Sequence, residues 1–312
     1  MPSAIDVHGL VKQYDTLKAV DGIDFSVAAG QVFAFLGPNG AGKTTTVEIL
    51  EGLRNRTAGD VSVLGLDPWT QGRELHRQVG VIPQDFRFFD KITPKEAVEY
   101  YGALFGTHPD ALHLLERVRL EDKASAHFDT LSGGQKQKLG FALSLVNDPK
   151  LCFLDEPTTG LDPQARRVIW DVIRQLKVDG RSVFLTTHYL EEAELLADQV
   201  AIIHHGKIIA AGTPAEIIQK FGGADRVRVI APPALADYLR SHLTLPVRVD
   251  GPSVEVEIPQ QVDLQRVLSA IESSHIPWRS FTTRQDTLED VFIHLVGRMD
   301  EYEGTLKSES AR

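Results

Sequence analysis

A glycine-rich stretch that ends in lysine and threonine is the part of the sequence best suited to chemistry. It reads GPNGAGKT over residues 37–44 and matches the spacing G-x-x-x-x-G-K followed by Ser or Thr. Glycines let backbone N–H groups turn inward around a phosphate, and a helix that follows directs its positive end at the same anion. The predicted nucleotide-binding residues of this loop are Gly37, Pro38, Asn39, Gly40, Ala41, Gly42, Lys43, Thr44 and Thr45.

Two side chains of the loop have more specific expected roles. The Lys43 ammonium would hold the β and γ phosphates of ATP, and the Thr44 hydroxyl would coordinate Mg²⁺. The plain alternative is a glycine-rich turn with a lysine that follows it by chance. The flanking pattern favours the phosphate loop, because the apolar, strand-like QVFAFLG precedes it and a stretch with helical spacing follows it.

Two adjacent carboxylates follow a second apolar stretch. Asp155 comes directly after the strand-like residues 151–154, so we expect its side chain at the C-terminal end of a strand, where α/β sheets bind ligands. We predict that Asp155 coordinates Mg²⁺ and that Glu156 polarises the attacking water as general base. A solvated Asp-Glu pair is the alternative, and the phosphate loop upstream favours the catalytic interpretation.

The elements that must position these residues follow from apolar periodicity. Alternation at Ile5 and Val7, and again from Ile23 to Val27, predicts antiparallel strands near the N-terminus. From Thr93 to His127 the spacing is helical, with Thr93 as N-cap before Pro94. Further on, strand-like LCFLD and SVFLTT flank a helix predicted over residues 163–177. Strands that alternate with helices imply a parallel sheet.

The residues after Phe221 have a different pattern. A Gly-Gly-Ala linker is followed by strand, helix, strand, strand, helix, strand and a last helix, which predicts a ferredoxin-like sandwich with one added helix. The predicted ranges are 226–230, 233–243, 247–250, 254–258, 262–273, 278–283 and 288–296. We favour a dimer or regulatory contact as the role of this domain, with bracing of a membrane partner as the alternative.

A third motif gives the sequence a family resemblance. Residues 131–135 read LSGGQ shortly before LCFLDEP, and over about residues 5–221 the chain resembles the ATPases of ATP-binding cassette (ABC) transporters. The serine and the two glycine amides would open a helix and form a second phosphate-binding helix end, a plain helix cap being the alternative. The predicted signature residues are Ser132, Gly133, Gly134 and Gln135.

The resemblance implies a fold and a division of the chain. The fold is α/β, a P-loop NTPase cassette with a mixed sheet core, an antiparallel β subdomain and a helical subdomain, followed by a small α+β ferredoxin-like domain. The expected ranges are 1–221 for the nucleotide-binding domain, about 85–145 for its helical subdomain, 222–300 for the accessory domain and 301–312 for a flexible tail.

The resemblance also implies a dimer. In this family the signature of one subunit closes over ATP held by the phosphate loop of the other, so two chains face each other head to tail. The sequence has one copy of each motif, which favours a homodimer, and a heterodimer with a related subunit is the alternative.

Four further residues are assigned by their resemblance to family positions. Tyr14 resembles the aromatic residue that stacks on adenine, a strand tyrosine packed on its neighbour being the alternative. Gln84 resembles the Q-loop glutamine that contacts Mg²⁺ and the lytic water. Asp162 resembles the D-loop aspartate at the dimer interface and is also a good helix N-cap. His188 resembles the switch histidine that contacts the γ phosphate.

Composition excludes some classes of protein. The net charge of −10 gives no uniform positive field, so we expect no nucleic acid partner. Apolar runs stay far below the ~18 residues of a membrane span, and no secretory signal is readable, so we expect the protein to stay in the cytosol. The family resemblance implies a peripheral place at the cytoplasmic face of the membrane. The single cysteine, Cys152 in LCFL, is predicted to be a buried, inert thiol.

Together these features predict an ATP-hydrolysing subunit that powers a membrane permease. We expect the helical insert around residues 93–106 to form a groove for a short helix of the permease. TLEDVFIHLVGR, at residues 287–298, resembles a segment of ABC-2 exporter ATPases of the daunorubicin-resistance kind, which predicts efflux of a drug, lipid or polysaccharide, although it is also simply an amphipathic helix. The alternatives are a soluble ABC ATPase acting on ribosomes or DNA, for which two cassettes or a coiled-coil insertion would be expected, and an importer subunit.

Overall fold

The chain folds into two structural units, and the boundary between them in the sequence lies between Ala215 and Glu216. The computed structural model describes residues 3–82, 88–223, 225–259 and 261–297. Gln84, the first residues of the expected helical subdomain and the expected tail lie outside these ranges.

The first unit contains nine strands and seven helices, besides short 3₁₀ turns, within the described ranges. They are β1 (Ser3–Tyr14), β2 (Leu17–Ala28), β3 (Val32–Leu36), α1 (Lys43–Leu50), β4 (Ala58–Val63), α2 (Gly72–Leu75), β5 (Val79–Ile82), α3 (Pro94–Phe105), α4 (Ala111–Arg117), α5 (Gly133–Leu143), β6 (Leu151–Asp155), α6 (Pro163–Val178), β7 (Ser182–Thr186), α7 (Leu190–Leu196), β8 (Gln199–His204) and β9 (Lys207–Gly212). Helix α8 (Pro214–Phe221) spans the division between the units.

An antiparallel sheet forms the start of the first unit, in the order β2-β1-β4. Ile5 pairs with Val27 and Val7 with Phe25 across β1 and β2. Both β1 residues are fully buried, since alternate side chains of a strand share one face. The predicted antiparallel strands are confirmed.

The central sheet has the order β5-β6-β7-β3-β8-β9, and all neighbours are parallel except β8 and β9. Its middle strands β3 and β7 are buried along their whole length, as expected for apolar strands covered on both faces. Parallel neighbours end at the same sheet edge. The phosphate loop, the Asp155-Glu156 pair and His188 follow β3, β6 and β7, so the sheet brings all three to one edge.

A cluster of phenylalanines packs the two sheets of the first unit together. The Phe184 ring lies 5.5 Å from Phe33, 5.7 Å from Phe35 and 5.9 Å from Phe153, measured between ring centroids. Phe25, from the antiparallel sheet, lies 6.1 Å from the same ring. These contacts fix the strands that precede the candidate site.

The helical insert begins as expected but is divided. The Thr93 side chain accepts a hydrogen bond from the Glu96 backbone N–H, and the Glu96 carboxylate accepts one from the Thr93 backbone N–H, which confirms the N-cap. The helix ends at Gly106, which has φ +71°, a conformation that favours glycine. The helical pattern from Thr93 to His127 therefore forms α3, α4 and two short 3₁₀ turns.

The second unit has the predicted order of elements. They are β10 (Asp225–Ile230), α9 (Ala234–His242), β11 (Val247–Asp250), β12 (Ser253–Ile258), α10 (Gln261–Ser274), β13 (Ser280–Arg284) and α11 (residues 288–297). The sheet order is β11-β12-β10-β13 with antiparallel neighbours throughout, as in a ferredoxin-like sandwich. The last strand covers Ser280–Arg284, so it begins two residues later than the predicted range 278–283.

Two smaller expectations concern apolar segments. Cys152 is fully buried, as predicted, and burial raises the pKa of its thiol to about 12, which disfavours the reactive thiolate. Within the described ranges, none of the helices combines the length and the apolar character needed to cross a bilayer.

Candidate functional site

The loop between β3 and α1 follows a path that only glycine allows at three positions. A Cβ atom on Gly37 would lie 2.3 Å from the carbonyl oxygen of Ile203, and one on Gly42 would lie 2.4 Å from that of Ala19. Gly40 has open space around it but a φ of +79°, which strains other residues. The spacing of glycines in the sequence is therefore required by the backbone of the loop.

Lys43, the first residue of α1, bends back over this loop. Its side chain is buried, and its Nζ donates hydrogen bonds to the carbonyl oxygens of Gly37 at 2.7 Å and Pro38 at 3.2 Å. Burial lowers the pKa of the ammonium, while the charges of Glu156 and Asp155 act in the opposite direction. The structure thus holds a buried ammonium group on the loop, near enough to the two predicted carboxylates for their charges to act on it.

The other loop residues differ in exposure. Ala41 is buried with Gly37 and Gly42, whereas Thr45 is half-buried. Asn39, Gly40 and Thr44 are exposed. The Thr44 side chain, at the start of α1, is therefore open to a ligand.

Asp155, the last residue of β6, is a half-buried carboxylate. The Thr186 hydroxyl at the end of β7 donates a short hydrogen bond to its Oδ1. Burial raises the pKa of Asp155, the Thr186 hydrogen bond opposes this, and the neighbouring Glu156 charge adds to it. A divalent cation would relieve this repulsion, and the carboxylate of Asp155 with the hydroxyl of Thr44 offers the oxygen ligands that Mg²⁺ prefers. These residues fit the metal.

Glu156 lies directly beside His188. The Glu156 backbone has φ +49°, a strained conformation for a residue with a side chain. Its N–H donates to the carbonyl and hydroxyl oxygens of Thr186 at 3.0 and 3.1 Å. Its Oε2 accepts a hydrogen bond from the Thr159 hydroxyl at 3.2 Å and lies 3.3 Å from His188 Nδ1. The ends of β6 and β7 thus bring together two residues that the sequence predicted separately.

The LSGGQ residues form a capped helix end. The Ser132 Oγ accepts a hydrogen bond from the Gln135 backbone N–H at 3.3 Å, and the Gln135 side chain accepts one from the Ser132 N–H at 2.9 Å. Similarly, the Asp162 carboxylate accepts from the Ala165 N–H at 2.8 Å at the start of α6. Asp162 caps its helix as predicted, and Ser132 caps α5 as well. The phosphate-binding role of the Ser132 helix end stays a prediction.

A groove of about 330 Å³ connects these two helix starts. Its lining consists of Arg119, Ser132, Gly134, Gln135, Lys138, Asp162, Gln164, Ala165 and Val168. The basic side chains of Arg119 and Lys138 flank the open start of α5, which is a favourable setting for an anion. None of the phosphate-loop residues lines the groove.

Tyr14 and Gln84 complete the set of predicted residues. Tyr14 ends β1 with a ring that is about one-third exposed, and the Nζ of Lys12 lies 4.9 Å from its centroid. The Arg54 guanidinium lies 5.4 Å from the same centroid. Gln84 lies outside the described residues, so its predicted role stays a prediction.

Glu192, near the start of α7, is a buried acidic residue that the sequence analysis did not select. Its carboxylate accepts hydrogen bonds from Trp170 Nε1 at 2.8 Å and from the Thr158 hydroxyl at 3.3 Å. The Thr187 hydroxyl also hydrogen-bonds to it. Burial raises the pKa of Glu192, and these donors oppose that rise.

The partners of Glu192 lie beside the predicted catalytic residues. Thr158 stands two residues after Glu156, and Thr187 directly precedes His188. The buried carboxylate therefore joins the loop after β6 to the loop after β7. Little in the sequence distinguishes Glu192, because it lies among other glutamates on the same helix. Its neighbours Glu191 and Glu194 are exposed.

Two family models match the chain. One, described as "ABC transporter", covers residues 20–159. The other, described as "ATP-binding protein DrrA1-3-like, C-terminal domain", covers residues 212–296. The second match includes the ferredoxin-like sheet of the second unit.

Known proteins resemble the chain over nearly its whole length. The Nod factor export ATP-binding protein I of Burkholderia orbicola is 38% identical over 299 residues, which are 94% of this chain and 97% of that protein. The daunorubicin/doxorubicin resistance ATP-binding protein DrrA of Streptomyces peucetius is 37% identical over 307 residues, 94% of this chain and 92% of that protein. A solved structure of an ATP-binding subunit of an ABC transporter superposes with a TM-score of 0.64 at 30% identity, covering 70% of this chain and 93% of that one.

The placement of Glu192 predicts a selective loss of turnover. In Glu192→Ala, the loops that carry Glu156 and His188 lose their common anchor, so we expect kcat for ATP hydrolysis to fall about tenfold or more while the KM for ATP changes little. Thr158→Val, which removes one donor, should have a smaller effect in the same direction. Steady-state kinetics at fixed pH measures both constants.

The matched control is Glu191→Ala, an exposed glutamate on the same helix, with thermal unfolding as a check of folding. A folded Glu192→Ala protein whose kcat stays within about twofold of the control would contradict the positioning role.

Proposed function

The chain belongs to the ABC transporter family of ATP-binding proteins, and from that premise we propose that two copies of it form the ATP-hydrolysing pair of an ABC-2 type exporter. Family membership makes the chain an ATPase that powers a membrane permease. The observation that carries the rest is the placement of Glu156 beside His188, 3.3 Å apart, at the sheet edge that also bears the phosphate loop.

At this edge each residue has a distinct task in hydrolysis. The loop amides and Lys43 would bind the β and γ phosphates, and Thr44 with Asp155 would hold Mg²⁺. When bound, Mg²⁺ neutralises charge on the phosphates. Glu156 orients the attacking water and accepts its proton, and His188 hydrogen-bonds toward the γ phosphate. At 3.3 Å, a proton on Nδ1 of His188 can be donated directly in a hydrogen bond to the carboxylate of Glu156.

The proposed site is completed by the second copy. The groove between the starts of α5 and α6 has Ser132, Asp162 and two basic side chains but no residue of the phosphate loop. This separation supports a head-to-tail homodimer in which the groove of one chain covers the ATP bound to the other, with a heterodimer as the alternative. Tyr14, with its exposed ring, would stack on adenine.

The proposed contact with the permease lies on the helical insert. A cavity of about 310 Å³ is bounded by β5, by the residues after α1 and by α3 and α5, and Leu53, Tyr101 and Phe105 contribute to its lining. Phe89 and Tyr100 are exposed nearby. An exposed apolar surface of this kind fits the apolar face of a short helix. The permease contact would hold the chain at the cytoplasmic face of the membrane.

The direction of transport and the role of the second domain are parts of the same proposal. Two relatives bear names of export or drug resistance, which supports an exporter of a drug, lipid or polysaccharide. For residues 222–300 we propose an accessory domain that contributes a dimer or regulatory contact, after a nucleotide-binding domain of residues 1–221.

Replacement of Glu156 by Gln should leave ATP binding intact and lower hydrolysis by about 100-fold or more, because the amide cannot accept the proton of water. Steady-state phosphate release and equilibrium binding of ATP with Mg²⁺ measure the two effects. Glu48→Gln, a partly buried glutamate that pairs with Arg54, is the matched control. Unchanged turnover in Glu156→Gln, with ATP still bound, would show that another group is the base.

A mixture of two inactive chains should recover activity if the sites are shared. Ser132→Arg blocks the covering half of a site and Lys43→Ala the phosphate-binding half, so a mixed dimer contains one intact site. Random pairing of equal amounts should restore about a quarter of wild-type turnover. The control mixes Lys43→Ala with the Lys43→Ala, Ser132→Arg double variant, which leaves no intact site. A mixture no more active than this control would contradict shared sites.

A further inference from the structure

Glu51, directly after α1, is a buried acidic residue that hydrolysis does not use. It is only 5% exposed. Its backbone is fully engaged, because its N–H donates to the Val47 carbonyl at 2.9 Å and its own carbonyl contacts His76 Nε2 at 2.7 Å. Within the described part of the chain, by contrast, its carboxylate has neither a hydrogen bond nor an ion pair.

An unpartnered carboxylate in such a place is energetically unfavourable. Burial raises the pKa of Glu51 to about 8, and the charges of Asp155 and Glu48 add to the rise. Buried carboxylates are normally paired with a cation or satisfied by several donors. The other buried glutamate of this unit, Glu192, has such donors. The described part of the fold therefore supplies no partner for the carboxylate of Glu51.

Glu51 lines the cavity of about 310 Å³ beside the helical insert. The described lining is Glu51, Leu53, His76, Val79, Gly80, Val81, Tyr101, Phe105, Leu143, Ser144 and Asn147. It contains one carboxylate and neither lysine nor arginine. The described lining thus combines apolar and aromatic walls with a single carboxyl group, and it offers no basic lysine or arginine to stabilise the ionised form of that group.

We propose that this cavity receives a short helix of the permease whose lysine or arginine side chain pairs with Glu51. The inference rests on the proposed function, since it names the chemistry of the partner that the groove would hold. Tyr101 and Phe105 would contact the methylene stem of the basic side chain while its charged end reaches Glu51. A bound metal ion fits less well, because hard cations need several oxygen ligands and the described lining offers one carboxylate.

The pairing makes Glu51 a determinant of which permease the ATPase accepts. A basic side chain at the matching position of the helix gains a charge-assisted hydrogen bond beside the apolar walls of the groove. An acidic or apolar one leaves the buried carboxylate unpaired. Selection of the partner then depends on one charge as well as on apolar fit.

The test is co-purification with an ABC-2 type permease from the same organism, after expression of both proteins and extraction in mild detergent. Glu51→Gln should lower the amount of permease retained by about tenfold, and Glu51→Lys should lower it further. Leu53→Asp, in the apolar wall, should also abolish retention. The matched control is Glu99→Gln, an exposed glutamate of α3 outside the cavity lining. Thermal unfolding of each purified variant confirms that it is folded.

A reciprocal change identifies the partner charge. Each lysine and arginine in the cytoplasmic helices of the permease is changed to Glu, and one of these changes should restore retention by Glu51→Lys. Normal retention by folded Glu51→Gln and Glu51→Lys, with loss in Leu53→Asp, would overturn the pairing while leaving the proposed function in place. Failure of the wild-type chain to retain the permease would overturn both. Capture of a second copy of the chain in the groove would also overturn the pairing.

Discussion

The parallel arrangement of β3, β6 and β7 is the constraint on which the rest of the structure depends. Parallel neighbours must end at one sheet edge, so three separate segments of the sequence deliver their functional groups to the same place. The phenylalanine cluster around Phe184 fixes these strands relative to each other. Because of this geometry, backbone amides, two carboxylates and an imidazole converge although up to about 150 residues separate them.

The charges at that edge are arranged for a ligand that is both anionic and metal-bound. Lys43 is the buried cation near two carboxylates, and burial lowers its pKa while it raises that of Asp155. The ammonium and the two carboxylates thus partly neutralise one another. The negative phosphates of a nucleotide and the positive charge of Mg²⁺ would neutralise the rest. The strained backbone at Glu156 fits the same view, since it aims the carboxylate at His188.

Local patterns in the sequence were sufficient for much of this account. Spacing over a few residues is enough to predict the strands and the position of Glu156 at a strand end. It also predicts the helix caps at Thr93, Ser132 and Asp162, because caps and strand alternation are local features. The break at Gly106 and the carboxylate of Glu192 could not be predicted in this way. The break depends on a left-handed backbone conformation, and the carboxylate of Glu192 depends on donors from two distant segments, at Thr158 and Trp170.

The central claim is that one nucleotide is held by two chains. Sedimentation velocity of the Glu156→Gln variant, which should bind ATP without hydrolysing it, tests this claim most directly. With ATP and Mg²⁺ at saturating concentration, the account predicts a concentration-dependent shift from monomer to dimer that disappears when ATP is replaced by ADP. A protein that binds ATP yet sediments as a monomer at high concentration, even in the presence of its permease, would contradict the shared site.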